Sequence, residues 1–421
     1  IGIAAKKIIA TLILGASSVF YQKKQQKKLQ ARADQAKRDM EGYRLNFGDP
    51  AAVRSFLLAS SIRTSGPVIY SYVQGGYLIL VIPLSTQSVS WTTTKTMWID
   101  GEQVTLDRDQ SNGWWSPSSG KYSYPYTSGF WVSARILYSQ WDSQIGNGLI
   151  GGVLDLPNLA AQWDNTHKCT GFSYAVVYLG YNQSLYQGLP DPSFEVIPSA
   201  SSTTQTNMGT DLGNPATALY EYMITYLGES SGNIDLSSFQ AARNRCDETV
   251  SGKKRYQIRQ EFDTDETPQQ IMDTILDSMN GDLIRSGAKW YLKNNYATPT
   301  ITLTESDLVG PISMTTRRSY ADAFNRVVGL YKSTAQDDQP QTYPPVVDST
   351  AVTQDGETIT YTLDLPQIPE PEQAQRVALI ELKKNRLEIV LQVKSNARGI
   401  ALRAGSTVSL TIARYGWVSK P

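Results

Sequence analysis

Histidine and cysteine are almost missing from this chain of 421 residues, which has one histidine, His167, and two cysteines, Cys169 and Cys246. A single histidine excludes a histidine-rich metal centre, and any Ser-His or Cys-His machinery would have to run through His167. The two cysteines lie far apart in sequence and form no C-x-x-C or metal-ligand spacing; a single disulfide between them stays open. Net charge is also missing. The 39 basic and 39 acidic side chains cancel, so no overall field draws the molecule to nucleic acid or to an anionic membrane. No phosphate-cradling glycine loop, EF-hand or zinc pattern occurs. Lysine and arginine do not cluster with aromatics as a nucleic-acid groove requires.

Long apolar runs are equally scarce. The longest, within Ile3 to Tyr21, is uninterrupted for about 14 residues, short of the roughly 20 that a bilayer span needs. Lys23, Lys24, Lys27 and Lys28 follow it directly, where positive charge opposes export, so the segment is a poor signal peptide. The spacing predicts a helix to about Met40, ended at Gly42. Ile8, Leu12 and Val19 share one face of that helix, and Ile9, Ile13 and Phe20 lie beside it. So wide an apolar surface calls for partner helices, in an oligomeric or partner bundle; packing on its own domain and anchoring in a membrane are the alternatives.

What the chain has in quantity is tyrosine, 24 residues, and tryptophan, nine, among many threonines, serines and β-branched residues. That mixture favours strands. Segments 67–73 and 77–83 around Gly75-Gly76 read as a hairpin, and segments 96–99 and 103–106 around Asp100-Gly101 as another. Further strands are expected at 174–179, from Phe194, and at 289–292, 358–363, 387–393 and 407–412. Helices are expected after Asn214-Pro215, after Thr267-Pro268 and over 372–384, the first two with an N-cap followed by proline at the first helical position. Segment 336–349, rich in Asp, Gln and Pro, reads as an exposed connector. The C-terminal part reads as α+β with antiparallel pairing.

At 421 residues the chain exceeds one ordinary domain. The divisions read from it are an apolar and basic helix over 1–44, a β-rich domain with an aromatic insertion over 45–165, an α+β domain over 166–335, and a C-terminal α+β domain over 336–421. A start at Ile1 and a stop at Pro421 just after a strand-like run suggest part of a longer product.

Three features invite a chemical reading. Gly228-Glu229-Ser230-Ser231-Gly232 fits the G-x-S-x-G nucleophile elbow, but the elbow needs a strand before the serine, and residues 216–227 read as a helix. Asp247, Glu248, Asp263, Asp265 and Glu266 contain enough carboxylates for a glycosidase pair, although acidic loop clusters are usually solvated surface. Trp114, Trp115, Tyr122, Tyr124, Tyr126, Phe130, Trp131, Tyr138 and Trp141 suggest carbohydrate stacking, yet the same aromatics suffice to build the core of an insertion. No catalytic, cofactor or metal residue is assigned. The enzyme-class alternative is a membrane-tethered or exported β-rich carbohydrate-binding protein or glycosidase.

The last third carries an ordered series: Ala323-Phe324-Asn325-Arg326-Val327, Tyr343-Pro344-Pro345-Val346, Ala374-Gln375-Arg376-Val377-Ala378, Leu402-Arg403-Ala404-Gly405 and Ala413-Arg414-Tyr415-Gly416-Trp417. It resembles the tail hub, or tip attachment, proteins of long-tailed bacteriophages of the phage lambda type. Leu185 to Asp191, Asn214-Pro215-Ala216 with Leu219 and Tyr222, Cys246-Asp247-Glu248 and Phe262 to Pro268 stand in the same order as in that family. The resemblance implies a mainly β fold of tandem β-barrel-like and α+β hub domains behind an N-terminal helix. It implies a non-enzymatic baseplate hub at the tail tip of the virion, a homotrimer closing the tail tube and opening for genome ejection. The implied partners are the distal tail protein ring, the tape measure protein, a central tail fibre or other tip proteins and, indirectly, the host envelope. Ile8, Ile9, Leu12, Ile13, Val19 and Phe20 would face the tape measure or the trimer axis.

Overall fold

The computed structural model describes residues 54–74, 77–109, 115–117, 132–138, 149–150, 154–155, 169–180, 190–294, 299, 301–315, 323–336, 338–387, 389–402 and 405–420. Contacts divide the chain into residues 1–45 and residues 46–421. The N-terminal candidates Ile8, Ile9, Leu12, Ile13, Val19 and Phe20 lie outside the described residues, as do His167 and most of the aromatic insertion.

The fold is mainly β with α+β parts, as the composition predicts. Among the described residues the largest sheet has six strands in the order Tyr70–Gln74, Tyr77–Ser85, Ser173–Gly180, Val132–Tyr138, Trp115–Ser116, Arg108–Asp109. The central strand Ser173–Gly180 is buried at every position but its last, consistent with a strand covered on both faces. A second sheet runs Ile62–Thr64, Pro192–Pro198, Thr96–Ile99, Glu102–Thr105, with Val89–Trp91 also on Pro192–Pro198. Both expected hairpins form, and Asp100 and Gly101 adopt the positive φ angles of 51° and 80° that a primed two-residue turn demands. No described sheet closes on itself, so the barrel-like domains expected from the resemblance take the form of open sheets.

A helical layer follows. Helix α1 (Ser202–Met208) leads to α2 (Pro215–Glu221), whose N-cap Asn214 accepts from the amides of Ala216 and Thr217 at 3.1 and 3.4 Å. All seven residues of α2 are buried. The helix expected to run on to Leu227 instead widens into a π turn, Tyr222–Tyr226. That turn brings Tyr222 and Tyr226 into a stack with Phe56, at 5.7 and 4.2 Å, and Phe262 also stacks on Phe56 at 5.5 Å. Helix α3 (Leu236–Asp247) and helix α4 (Pro268–Met279) pack on α2. Thr267 and Gln270 form a reciprocal capping box at the start of α4, and Asn280 ends it in the left-handed conformation. The expected strand at 289–292 forms within Lys289–Lys293, paired with Asp282–Ser286.

The segment expected to be an exposed connector is integral to the fold. Gln339–Thr342 pairs with Leu330–Ser333, Val346–Val347 pairs with Arg326–Val328, and Tyr343 between them is only 1% exposed. Helix α5 (Ser349–Asp355) then crosses to Thr360–Thr362, and helix α6 (Pro371–Asn385) packs on Arg326–Val328. Pairing here is mixed, not purely antiparallel. Arg326–Val328 is parallel to Thr360–Thr362, and Ile301–Thr304 is parallel to Val408–Ile412. Crossover segments separate each parallel pair, and no local turn signal announces them. One hydrophobic core draws on residues from Phe56 to Leu382. No helix among the described residues is long and apolar enough to cross a membrane.

Candidate interaction surface

The residues singled out for chemistry do not assemble into a reactive centre among the described residues. Ser230 caps a short 3-10 turn, Ser231–Asn233, and its Oγ accepts from the Gly232 amide at 3.3 Å. No strand precedes it, because the π turn ends just before. Asp247 pairs with Lys254 at 2.8 Å, and Glu248 with Arg255 at 2.8 Å. Glu266 accepts from the Asp263 amide at 3.1 Å, and Asp265 is exposed on the turn before α4. Asp247, Glu248 and Glu266 are thus tied to a cation or the backbone rather than poised opposite a second acid. A recess between Lys253 and α6 is bridged by ion pairs from Lys253 to Glu370 and Glu372. Of the aromatic insertion, Trp115 is half-buried with the Lys95 ammonium 3.9 Å over its ring, and Tyr138 is exposed. Trp114, Trp131 and Trp141 lie outside the described residues. Both cysteines are free; burial pushes the Cys246 thiol up to about 12 and that of Cys169 to about 11.

The ordered C-terminal series proves architectural. Asn325 is completely buried; its amide nitrogen donates to Asp355 Oδ2 at 2.9 Å and to the Glu357 carbonyl at 2.8 Å, and its oxygen accepts from the Ile359 amide at 2.8 Å. Arg386 grips the same Asp355 with both guanidinium arms, at 2.9 and 3.1 Å, and holds its carboxyl below the usual carboxylate range. Phe324 stacks on Tyr361 at 4.6 Å. The Tyr343 hydroxyl donates to the Leu363 carbonyl at 2.8 Å. That contact needs a glycine at 329, since a Cβ there would stand 1.9 Å from the Leu363 oxygen. Ala374 and Ala378 are wholly buried on the inner face of α6, small enough for the helix to lie close. Arg376 lies over the Tyr256 ring and donates to the Arg255 carbonyl. Gly416 turns the chain in the left-handed region between Tyr415 and Trp417.

Two arrangements had no sequence signal. Arg259 joins three distant segments: its guanidinium forks onto Asp338 at 2.9 and 2.7 Å, reaches Glu195 at 3.3 Å and also donates to the Ser61 carbonyl. Elsewhere, Leu308–Thr315 and Val390–Ser395 form a two-stranded ribbon in which no residue is fully buried. Ile312, Met314, Leu391 and Val393 are half-buried, while Val309 and Val390 on the ribbon, Leu387 and Ile389 before its second strand and Ile400 beyond it are exposed. At its base Asp307 accepts from Thr304 and Arg398, which fixes where the ribbon starts. An apolar ribbon of this kind is marginal alone in water and marks the part of the described surface best suited to contact with another chain.

Residues 267–418 match the family described as "Putative phage tail protein". A search among curated proteins gives no match. Among solved structures similar to this one is a chain of the virion of a native gene transfer agent (GTA) particle. It has a TM-score of 0.57 and 15% sequence identity over 86% of this chain and 80% of that one. At that identity the likeness is one of fold. The match at 267–418 contains the buried Asn325, Tyr343 and Ala374 that hold the C-terminal module together. Residues 267–418 are thus similar to a phage tail protein family, in a chain whose fold is similar to that of a virion chain.

Proposed function

We propose that this chain is a structural hub of a phage-type tail tip. It closes the tail tube as a trimer and joins the distal tail protein ring and the tape measure protein to the tip fibre. The observation that carries this reading is the match of residues 267–418 to a phage tail protein family, over a stretch whose buried Asn325, Tyr343 and Ala374 are spent on packing and hydrogen bonding rather than on a reactive site. Similarity of fold to a virion chain over 86% of the length supports a virion location. The exposed apolar ribbon offers a contact surface that a free monomer does not require. In this reading residues 1–44 face the tail axis, with Ile8, Ile9, Leu12, Ile13, Val19 and Phe20 bundled against symmetry mates or the tape measure, and the assembly opens for passage of DNA.

Light scattering of the purified chain with and without residues 1–44 tests the proposal, alongside tail assembly with the truncated gene. The expected result is a trimer, with truncation blocking assembly while the β regions stay folded. A monomer that binds polysaccharide and loses that binding with Trp114→Ala or Trp131→Ala would replace the hub with a carbohydrate-binding protein.

A further inference from the structure

The ribbon of Leu308–Thr315 and Val390–Ser395 belongs to a small module whose other part is the sheet Ile301–Thr304, Val408–Ile412, Trp417–Lys420. Of the module's described residues only Leu303, Asp307, Ser409 and Ile412 are buried, and none joins the hydrophobic core of the chain. Two apolar side chains are too few to hold such a module in place. Val309, Val390, Ile400 and Val418 are meanwhile each more than half exposed. On the ribbon, Val309 is paired with Lys394, and Val390 lies four residues before that lysine, so all three share one exposed face. Charge favours one kind of cover for it. Residues 389–421 contain five bases, Lys394, Arg398, Arg403, Arg414 and Lys420, and no acid. The module's two acids, Glu305 and Asp307, are already matched by Arg414 and Arg398 at 2.6 and 3.1 Å. Five bases less two acids leave an excess of three positive charges.

The complementary surface is on the same chain. Residues 262–284 carry six acids, Asp263, Asp265, Glu266, Asp273, Asp277 and Asp282, and no base. Asp273 and Asp277 are exposed one turn apart on α4, opposite the buried Ile271, Ile275 and Met279 and beside the half-buried Met272 and Leu276. We propose that the Val309, Val390 and Lys394 face of the module docks on the acidic outer face of α4 in a second copy of the chain. Both surfaces mix apolar side chains with charge, and the charges are opposite in sign. Two modules meeting face to face would instead bring like charges together. The contact therefore joins two different surfaces, head to tail, and such a contact closes a ring when its rotation allows. It rests on the reading that copies of this chain associate, and it names the faces by which they do so.

Carbodiimide coupling, which joins a lysine to a carboxylate only where the two touch, tests the contact on the full chain mixed from equal parts of isotopically light and heavy protein. The expected result is light-to-heavy links from Lys394 to Asp273 or Asp277, at a yield that falls several-fold as salt rises from about 0.05 to about 0.5 M. Lys394→Glu is expected to weaken self-association about fivefold in a sedimentation titration, and Asp273→Lys added to the same chain to restore most of it. Both residues are exposed, so neither change disturbs folding. Copies that associate without these links, or with Lys394 linked only to α4 of its own chain, overturn the contact and leave the trimer reading standing. A chain that stays single at every concentration overturns the contact and the trimer together. Retention of the unaltered chain on anionic vesicles or duplex DNA in place of the links, lost in Lys394→Glu, gives the module to an anionic partner and likewise overturns the proposal.

Discussion

Gly329, Tyr343 and Leu363 supply a sharp test of the claim that the C-terminal series is architecture. The Tyr343 side chain is 1% exposed and its hydroxyl donates to the Leu363 carbonyl at 2.8 Å. Tyr343→Phe keeps the ring and deletes the donor, leaving a buried carbonyl without that partner, at a cost of about 1–2 kcal/mol. In a cooperative unit of this size each kcal/mol moves the midpoint by about 1–2 °C, so the expected fall in Tm is about 1–4 °C. Gly329→Ala is a different kind of insult. The new Cβ falls 1.9 Å from a backbone oxygen, which cannot swing aside as a flexible side chain would, and 3.0 Å from the Tyr343 hydroxyl. Relief requires the strand Arg326–Val328 to move off the segment after Thr360–Thr362, with loss of packing beneath it. The expected cost is about 3–5 kcal/mol, with poor yield of folded protein. Differential scanning calorimetry and urea titration of the two variants decide the matter. Similar, small effects from both would show that residues 329, 343 and 363 are not locked together, and the structural account of the series would fail.

Other expectations follow from the same geometry. Asn325→Ala removes three buried hydrogen bonds and is expected to cost about 3 kcal/mol, read by urea titration; a loss under 1 kcal/mol would contradict its place in the module. Lys253→Ala breaks ion pairs at the surface and, after solvent screening, is expected to change stability by no more than about 0.5 kcal/mol in the same assay. Cys246, fully buried with its thiol raised to about 12, is expected to resist a thiol reagent at pH 8 until the protein is unfolded; labelling at the rate of a free thiol would contradict its burial.

Legibility in the sequence followed locality. The Asp100-Gly101 turn and the caps at Asn214 and Thr267 were readable because two to four neighbouring residues determine them. Tyr343 was misread, since the polar and proline-rich residues around it conceal a single buried ring in a hairpin that closes only against Leu363. The parallel pairings were invisible because strands such as Ile301–Thr304 and Val408–Ile412 meet across a hundred intervening residues, and the strand pattern is the same for either direction. The Arg259 clamp escaped for a related reason. Its acidic partners stand 64 and 79 residues away, and nothing in their neighbours marks them.

The proposal that this chain is a structural part of a tail can be checked on particles released by the cells that encode it, with gold-labelled antibody against the chain viewed by electron microscopy. The expected result is label confined to the tail tip. Particles with intact tails and no label anywhere on them, with the chain recovered instead from the envelope or the medium, would contradict it.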